Sequence, residues 1–396
     1  MRTAAYTVGH ARLVEQVVSG QRSAQLDLRV RESWRRCLSD YHLSPDQSQH
    51  PAVVSVAQLR QRRESADPLC SIARVEMAGL ARLLNAPVGV MLTDHEGVIL
   101  GYTGAANFAE IARRAGLREG AIWSEAAQGT NGMGTCLAIR EPVLIEADEH
   151  FLARNVALTC CGAPILDSSG QLVGALNISG HLRLSAAPTL ALVRLAVQNI
   201  ENRALLAQHR RQHLLRFHPH REFISSAGEG ILAIAADGRI VGANMAALEW
   251  LGMPSHDALC GQPVEQLFGL ELSRLETLHG DSASVQALPQ RDRGSLCFGI
   301  VQPPPLAARR PAGYIGAASP GASGPGASGL GSALPRADAL AQAERKVLRE
   351  VLDACRWNVS LAATQLNLSR RTLHRKLKAH GMRRHSGWNG DGGADG

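Results

Sequence analysis

Over the first 80 residues apolar positions recur every three to four residues, along Ala11 to Val18 and again along Leu59 to Leu84, which predicts a helical N-terminal segment (1–80). The period then changes. VGVMLTDHEGVILGYTG (88–104) is an apolar run, a polar turn at Asp94 to Gly97 and a second apolar run, the pattern of a β-hairpin. The same form returns in APILDSSGQLVGALNISG (163–180) and in EGILAIAADGRIVGANMAAL (229–248), with turns at Asp167 to Gly170 and Asp237-Gly238. Between them, Leu190, Val193, Val197, Ile200, Leu205 and Leu214 are spaced for one long amphipathic helix from Thr189 to Phe217, serving to pair two copies or to pack on its own sheet. Asn244, after the third turn, is expected to bond neighbouring backbone. These patterns predict a multidomain α+β chain with antiparallel-sheet domains at 81–205 and 218–300.

The pattern breaks at PPPLAARRPAGYIGAASPGASGPGASGLGSALP (303–335), which is too poor in large apolar residues to fold and predicts a flexible linker over 301–337. Its typical span is about 30 Å. Helical spacing resumes in ALAQAERKVLREVLDAC (339–355). Asn358 is placed to cap a short helix holding Ala362 and Ala363, and Asn367 to make a left-handed turn. Ser369 is placed to cap a third helix, RRTLHRKLKAHG, closed by Gly381. Three such elements make a helix-turn-helix at 338–384, followed by a disordered tail at 385–396. Leu373 and Leu377 must face inward, leaving Arg370, Arg371, Thr372, Arg375, Lys376 and Lys378, together with Ser369 at the helix start, to meet DNA at base edges and phosphates.

Charge supports this reading. Of 396 residues 45% are hydrophobic and 19% charged, as in globular proteins, and the net charge is +7. From Pro335 to His385 there are twelve Arg or Lys against four Asp or Glu, an excess of eight that accounts for all of it. No signal-peptide or membrane-spanning pattern appears, so a cytoplasmic location is expected. The eight cysteines include no C-x-x-C pair, and no metal site is expected; adjacent Cys160 and Cys161 read as buried small hydrophobes or as a redox pair.

GTNGMGT (129–135) invites comparison with a phosphate loop, but Thr135 stands where a lysine would be needed. The only lysines are Lys346, Lys376 and Lys378, none of them behind a glycine loop, so ATP hydrolysis is not expected.

NVSLAATQLNLSRRTLHRKLKAHGM resembles the Fis-type helix-turn-helix that ends bacterial enhancer-binding regulators. IWSEAAQGTNGMGTCLAIREPVLIEADEHF and the hairpin after it resemble the GAF sensor of the acetoin-catabolism-regulator family, and RVRESWRRC resembles that family's N-terminal helix. ISSAGEGILAIAADGRIVGANMAALEWLG is similar to a PAS domain. Family members carry a P-loop ATPase that remodels RNA polymerase holding sigma-54; here its position is taken by the linker.

The resemblance places GTNGMGT at the wall of a small-molecule pocket. There Trp123 and Phe151 would offer apolar faces, and Ser124, Glu125, Thr130, Asn131 and His150 polar groups. Trp123 as plain core, Glu125 as a capping or solvated carboxylate and His150 as a structural histidine are the competing readings. The chain therefore reads as a transcriptional regulator, not an enzyme, without a cofactor. Its expected partners are double-stranded DNA, a small-molecule effector and a second copy, with RNA polymerase a further candidate. The alternatives are an ATPase-less subunit or competitor of a sigma-54-dependent activator, and a redox enzyme built on the GAF-like region.

Overall fold

The structure, a computed structural model, describes residues 2–21, 26–84, 86–181, 186–269, 286–289 and 296–304, together with Leu352, Val359, Leu373, Leu377 and Met382. The chain divides into two units, Met1–Arg310 and Pro311–Gly396. The first opens with four helices, α1 (Arg2–Val18), α2 (Leu28–Ser39), α3 (Val56–Ser65) and α4 (Asp67–Leu84). Asp27 caps α2 by accepting from Arg29 N, and Ser55 with Gln58 makes a reciprocal capping box on α3. Then come β1 (Val88–Asp94), β2 (Ile99–Gly104), α5 (Ala109–Ala115), α6 (Glu125–Gln128), α7 (Gly132–Ile139), β3 (Val143–Glu146), β4 (Leu158–Leu166), β5 (Leu172–His181) and α8 (Ala186–Gln208). The five strands form one antiparallel sheet in the order β2-β1-β5-β4-β3.

Alternation along these strands divides the sheet into two faces. Val90, Leu92, Cys161, Ala163, Leu176 and Ile178 pack under α4 and α8, where Met77, Leu80, Val193, Val197 and Ile200 are buried. The long helix thus packs on its own sheet. Met91, Cys160 and Ala175 occupy the opposite face, beneath Trp34, Trp123, Met133 and Phe151. Burying each large apolar side chain contributes about 1.5–3 kcal/mol, so both faces hold helices firmly.

The second sheet follows: β6 (His213–His218), β7 (Gly230–Ile234), β8 (Ile240–Ala243), α9 (Met245–Leu251), α10 (His256–Leu259), α11 (Val264–Phe268), β9 (Gln286–Pro289) and β10 (Leu296–Gln302). Its order is β8-β7-β6-β10-β9, again antiparallel. The expected α+β class with two antiparallel sheets is therefore what the chain adopts. Two boundaries differ from the sequence reading. The amphipathic helix stops at Gln208, and Leu214 and Phe217 lie in β6, the central strand of the second sheet. β10 also runs two residues into the expected linker.

All three sequence-predicted hairpins form, and the turn residues act as their chemistry requires. Asp94 Oδ1 accepts from Glu96 N and Val98 N at 3.0 and 2.9 Å, Asp167 Oδ1 from Ser169 N and Gln171 N at 2.8 and 2.9 Å, and Asp237 Oδ1 from Arg239 N at 3.1 Å. The β4–β5 turn then docks on the second sheet. Ala243 N donates to Ser168 O at 2.9 Å, and Ser168 Oγ lies 2.8 Å from His209 Nε2. Asn244 accepts from Ile231 N and Ala247 N, both at 2.9 Å, and donates to Glu229 O and to Asn202 Oδ1 on α8 at 2.8 and 2.7 Å. It bonds backbone, as expected, and also ties α9 to α8.

In the tail, Leu373 and Leu377 are buried and Met382 N donates to Leu377 O at 2.9 Å. Ser369, Arg370, Arg371, Thr372, Arg375, Lys376 and Lys378 lie outside the described residues, as do most of the linker and the tail at 385–396.

Candidate functional site

GTNGMGT connects α6 to α7. Asn131 caps α7 with its Oδ1, which accepts from Met133 N and Gly134 N at 3.0 and 2.9 Å, while its Nδ2 donates to Gly129 O at 2.8 Å. Both ends of this amide are used on backbone, which holds the loop in one shape. Gly134 answers why glycine is needed here: a Cβ on it would stand 2.3 Å from Glu125 N and 2.6 Å from Ser124 C, both backbone atoms. Gly134→Ala should cost about 1–3 kcal/mol through overpacking. Urea unfolding checks this, and a cost below about 0.5 kcal/mol would show that the 124–125 backbone yields. Gly132 is no freer, because its Cβ would meet Asn177 Oδ1 at 2.2 Å and Cys160 Cβ at 2.8 Å.

Six of the seven residues expected at the pocket wall are buried: Trp123, Glu125, Thr130, Asn131, His150 and Phe151; Ser124, which precedes α6, is half-buried. They surround one cluster, and α2 lies over it. Ser33 Oγ donates to Glu125 Oε2 at 2.6 Å and lies 2.7 Å from Thr130 Oγ1. Arg36 grips the same carboxylate through Nε at 2.7 Å to Oε1 and Nη2 at 3.1 Å to Oε2, the bidentate form that suits guanidinium and carboxylate. Trp34 Nε1 donates to Glu149 O at 2.9 Å, and His10 Nε2 on α1 lies 3.0 and 3.1 Å from His150 O and Phe151 O. Glu125, only 3% exposed, is thus a paired internal anion and not a solvated carboxylate.

Beneath the loop, a row of polar side chains crosses the sheet. His150 Nδ1 donates to Ala147 O at 3.0 Å, so its Nε2 is the acceptor, 3.3 Å from the Cys160 thiol. Ser179 Oγ lies 3.1 Å from that sulfur and accepts from Asn177 Nδ2 at 2.9 Å. Burial pushes the imidazole pKa down to about 4 and the Cys160 thiol up to about 11. Both members of the pair are neutral, the opposite of a thiolate held by imidazolium. Cys161 faces the other side of β4 and is pushed up to about 12 by burial, so the two adjacent thiols neither meet nor ionise near neutral pH. Asn177 Oδ1 and Thr93 Oγ1, also buried, have no hydrogen-bond partner among the described residues. Among the described residues no group of three or more His, Cys, Asp or Glu could hold a metal ion, and no helix is long and apolar enough to cross a membrane.

The sequence reading missed Ser33, Arg36, Cys37 and His10, and also Asn177 and Ser179. The signal was present in RVRESWRRC, which carries Ser33, Arg36 and Cys37, the last with its thiol 3.8 Å from Thr130 Oγ1.

Comparison with known proteins follows this division. Residues 10–202, the four helices with the first sheet, match the family described as MimR, N-terminal domain, and residues 339–380 match Bacterial regulatory protein, Fis family. Between the matches lie the second sheet and the Pro/Gly/Ala/Ser-rich segment. The chain is thus similar, in its C-terminal segment, to bacterial regulatory proteins of the Fis family. It is 33% identical over 83% of its length to the acetoin catabolism regulatory protein of Cupriavidus necator, and 31% identical over 52% to the acetoin dehydrogenase operon transcriptional activator of Bacillus subtilis. Over most of its length the chain is similar to acetoin-catabolism-regulator-like transcriptional regulators. It spans 49% and 33% of their respective lengths. Among solved structures, the E. coli DhaR(N)-DhaL complex aligns with 69% of this chain and 99% of that one at a TM-score of 0.42 and 15% identity.

Proposed function

We propose that this chain is a sequence-specific DNA-binding transcriptional regulator that senses a small molecule through a GAF-like first domain, with a PAS-like second domain and no ATPase activity of its own. The observation that carries the sensing half is the buried polar row behind GTNGMGT. Among the described residues Asn177 Oδ1 and Thr93 Oγ1 find no partner on this face of the sheet, where a desolvated polar atom costs free energy unless something bonds it. A small polar molecule there would satisfy them, and α2 would have to yield for it to enter.

For the DNA-binding half, the Fis-family match and the buried Leu373 and Leu377 support the register in which the basic positions of the third helix remain available. One small helix-turn-helix offers few base contacts, so a homodimer on half-sites about 34 Å apart is the expected binding form. Val75 and Leu83 on α4 and Leu195 on α8 are exposed large apolar residues, which a second copy packing there would cover. Arg371→Ala should cost about 1–3 kcal/mol on the preferred site and flatten discrimination between sites. Lys378→Ala should weaken all sequences alike and reduce the salt slope by about one. Titrations of specific and scrambled DNA at several salt concentrations check both. An unchanged specificity ratio in Arg371→Ala would remove the third helix from the groove.

A further inference from the structure

The two D-x-x-G turns of the first sheet, β1–β2 and β4–β5, lie at the same end, and beside them is a cavity of about 930 Å3 between α3, the start of α4 and the end of α8. It is separate from the Glu125 cluster and shares no residue with it. Leu69, Ile165, Leu172, Val173, Ala204 and Ala207 make its lining largely apolar. Its volume is that of sites that take molecules of drug-like size.

The charges at its edge are already committed. Arg62 is paired with Asp94 at 2.6 Å and Glu96 at 2.5 Å, and the Asp94 and Asp167 carboxylates are also held by backbone N–H groups of their own turns. An anion would have to compete with two carboxylates for the guanidinium, and a cation would have to displace it. Gln61, His95 and Gln208 offer hydrogen-bonding groups of no fixed charge requirement.

We infer that this cavity is a binding site for an uncharged amphipathic molecule, one with an apolar body and a hydroxyl or carbonyl group, and that its occupation is communicated to the second sheet. The route for communication is short. Ser168 lines the cavity, and the same residue accepts from Ala243 N through its carbonyl and hydrogen-bonds His209 through its hydroxyl. A ligand that presses on or orders the Asp167–Gly170 turn acts directly on the contact joining the two sheets. This site is independent of the one proposed behind GTNGMGT.

Nile red, an uncharged amphipathic dye, serves as the probe on the full chain. Wild type should bind it saturably with one dye per chain. Ala204→Phe fills the cavity and should raise the dissociation constant at least about tenfold, a change of about 1.4 kcal/mol. Ala207→Trp, at an exposed position on the rim, should do the same without loading the core, and keeps the test valid if Ala204→Phe unfolds. Arg194→Ala, at an exposed position of α8 outside the cavity lining, should leave the dissociation constant unchanged. Dye should also slow hydrogen exchange at the Ala243 amide. Equal dye affinity in wild type and Ala207→Trp would overturn the site. Binding without a change at Ala243 would overturn the communication.

Discussion

Arg36→Ala should destabilise the first sheet and its helices by about 3–5 kcal/mol, the cost of leaving a buried carboxylate without its cation. The reason is the geometry of Glu125. Its side chain is 2% exposed and both oxygens are bonded, by Arg36 and by Ser33. Removing the guanidinium leaves only a hydroxyl to offset the charge in a site that excludes water. Glu125→Gln in the same background should recover most of the loss, because a neutral amide tolerates that environment far better. A double-mutant cycle in urea separates the pair from the packing of the Arg36 stem. Trp34 and Trp123, both buried in this region, supply the fluorescence signal. If Arg36→Ala costs less than about 0.5 kcal/mol, within the scatter of surface substitutions, then α2 does not hold the Glu125 cluster closed. The same variant bears on sensing. A molecule that must displace α2 should bind it more tightly than wild type, once enough folded protein remains to measure.

The second large effect is a pH dependence centred on Glu201. Burial raises its carboxyl pKa from 4.5 to about 7, opposed by the hydrogen bond from Leu166 N at 2.8 Å. The folded chain therefore holds this proton over a range in which the unfolded chain has released it. Below pH 4.5 the residue costs nothing. Stability falls as pH rises from 4.5 to about 7, and above that the full penalty applies, at most roughly 3 kcal/mol. Glu201→Gln keeps an acceptor for Leu166 N and removes the charge. It should be neutral at pH 4 and stabilising at pH 8, with the gain appearing across that window. Asp167 and His256 line the same small crevice as Glu201 and belong in the fit. Thermal melts of both proteins from pH 4 to 8 decide it, and parallel curves at all pH values would show that Glu201 ionises freely.

Local chemistry was legible in the sequence. The three hairpins, their Asp and Gly turns, the backbone-bonding Asn244 and the inward Leu373 and Leu377 each depend on residues within a few positions of one another, so spacing suffices to read them. The absence of a lysine behind any glycine loop was equally plain. The seven residues assigned to DNA rest on that sequence register and on the Fis-family match, not on described coordinates.

What spacing could not supply was the partner across the chain. LLRFH carries apolar residues that fit the end of a helix as well as a short strand. Only its pairing with β7 and β10 made it the central strand of the second sheet. Glu125 read as a pocket or capping carboxylate because Arg36 is 89 residues away, and the ion pair exists only once α2 packs on the loop. The glycines of GTNGMGT were visible at once, but their reason lies in the backbone of Ser124 and Glu125 and in Asn177, which the sheet brings beneath them. The chain by itself determined the elements, the turns and the basic tail, because those follow from local conformational preference and charge. Tertiary structure decided which polar groups are buried together, because desolvation and pairing depend on neighbours distant in sequence.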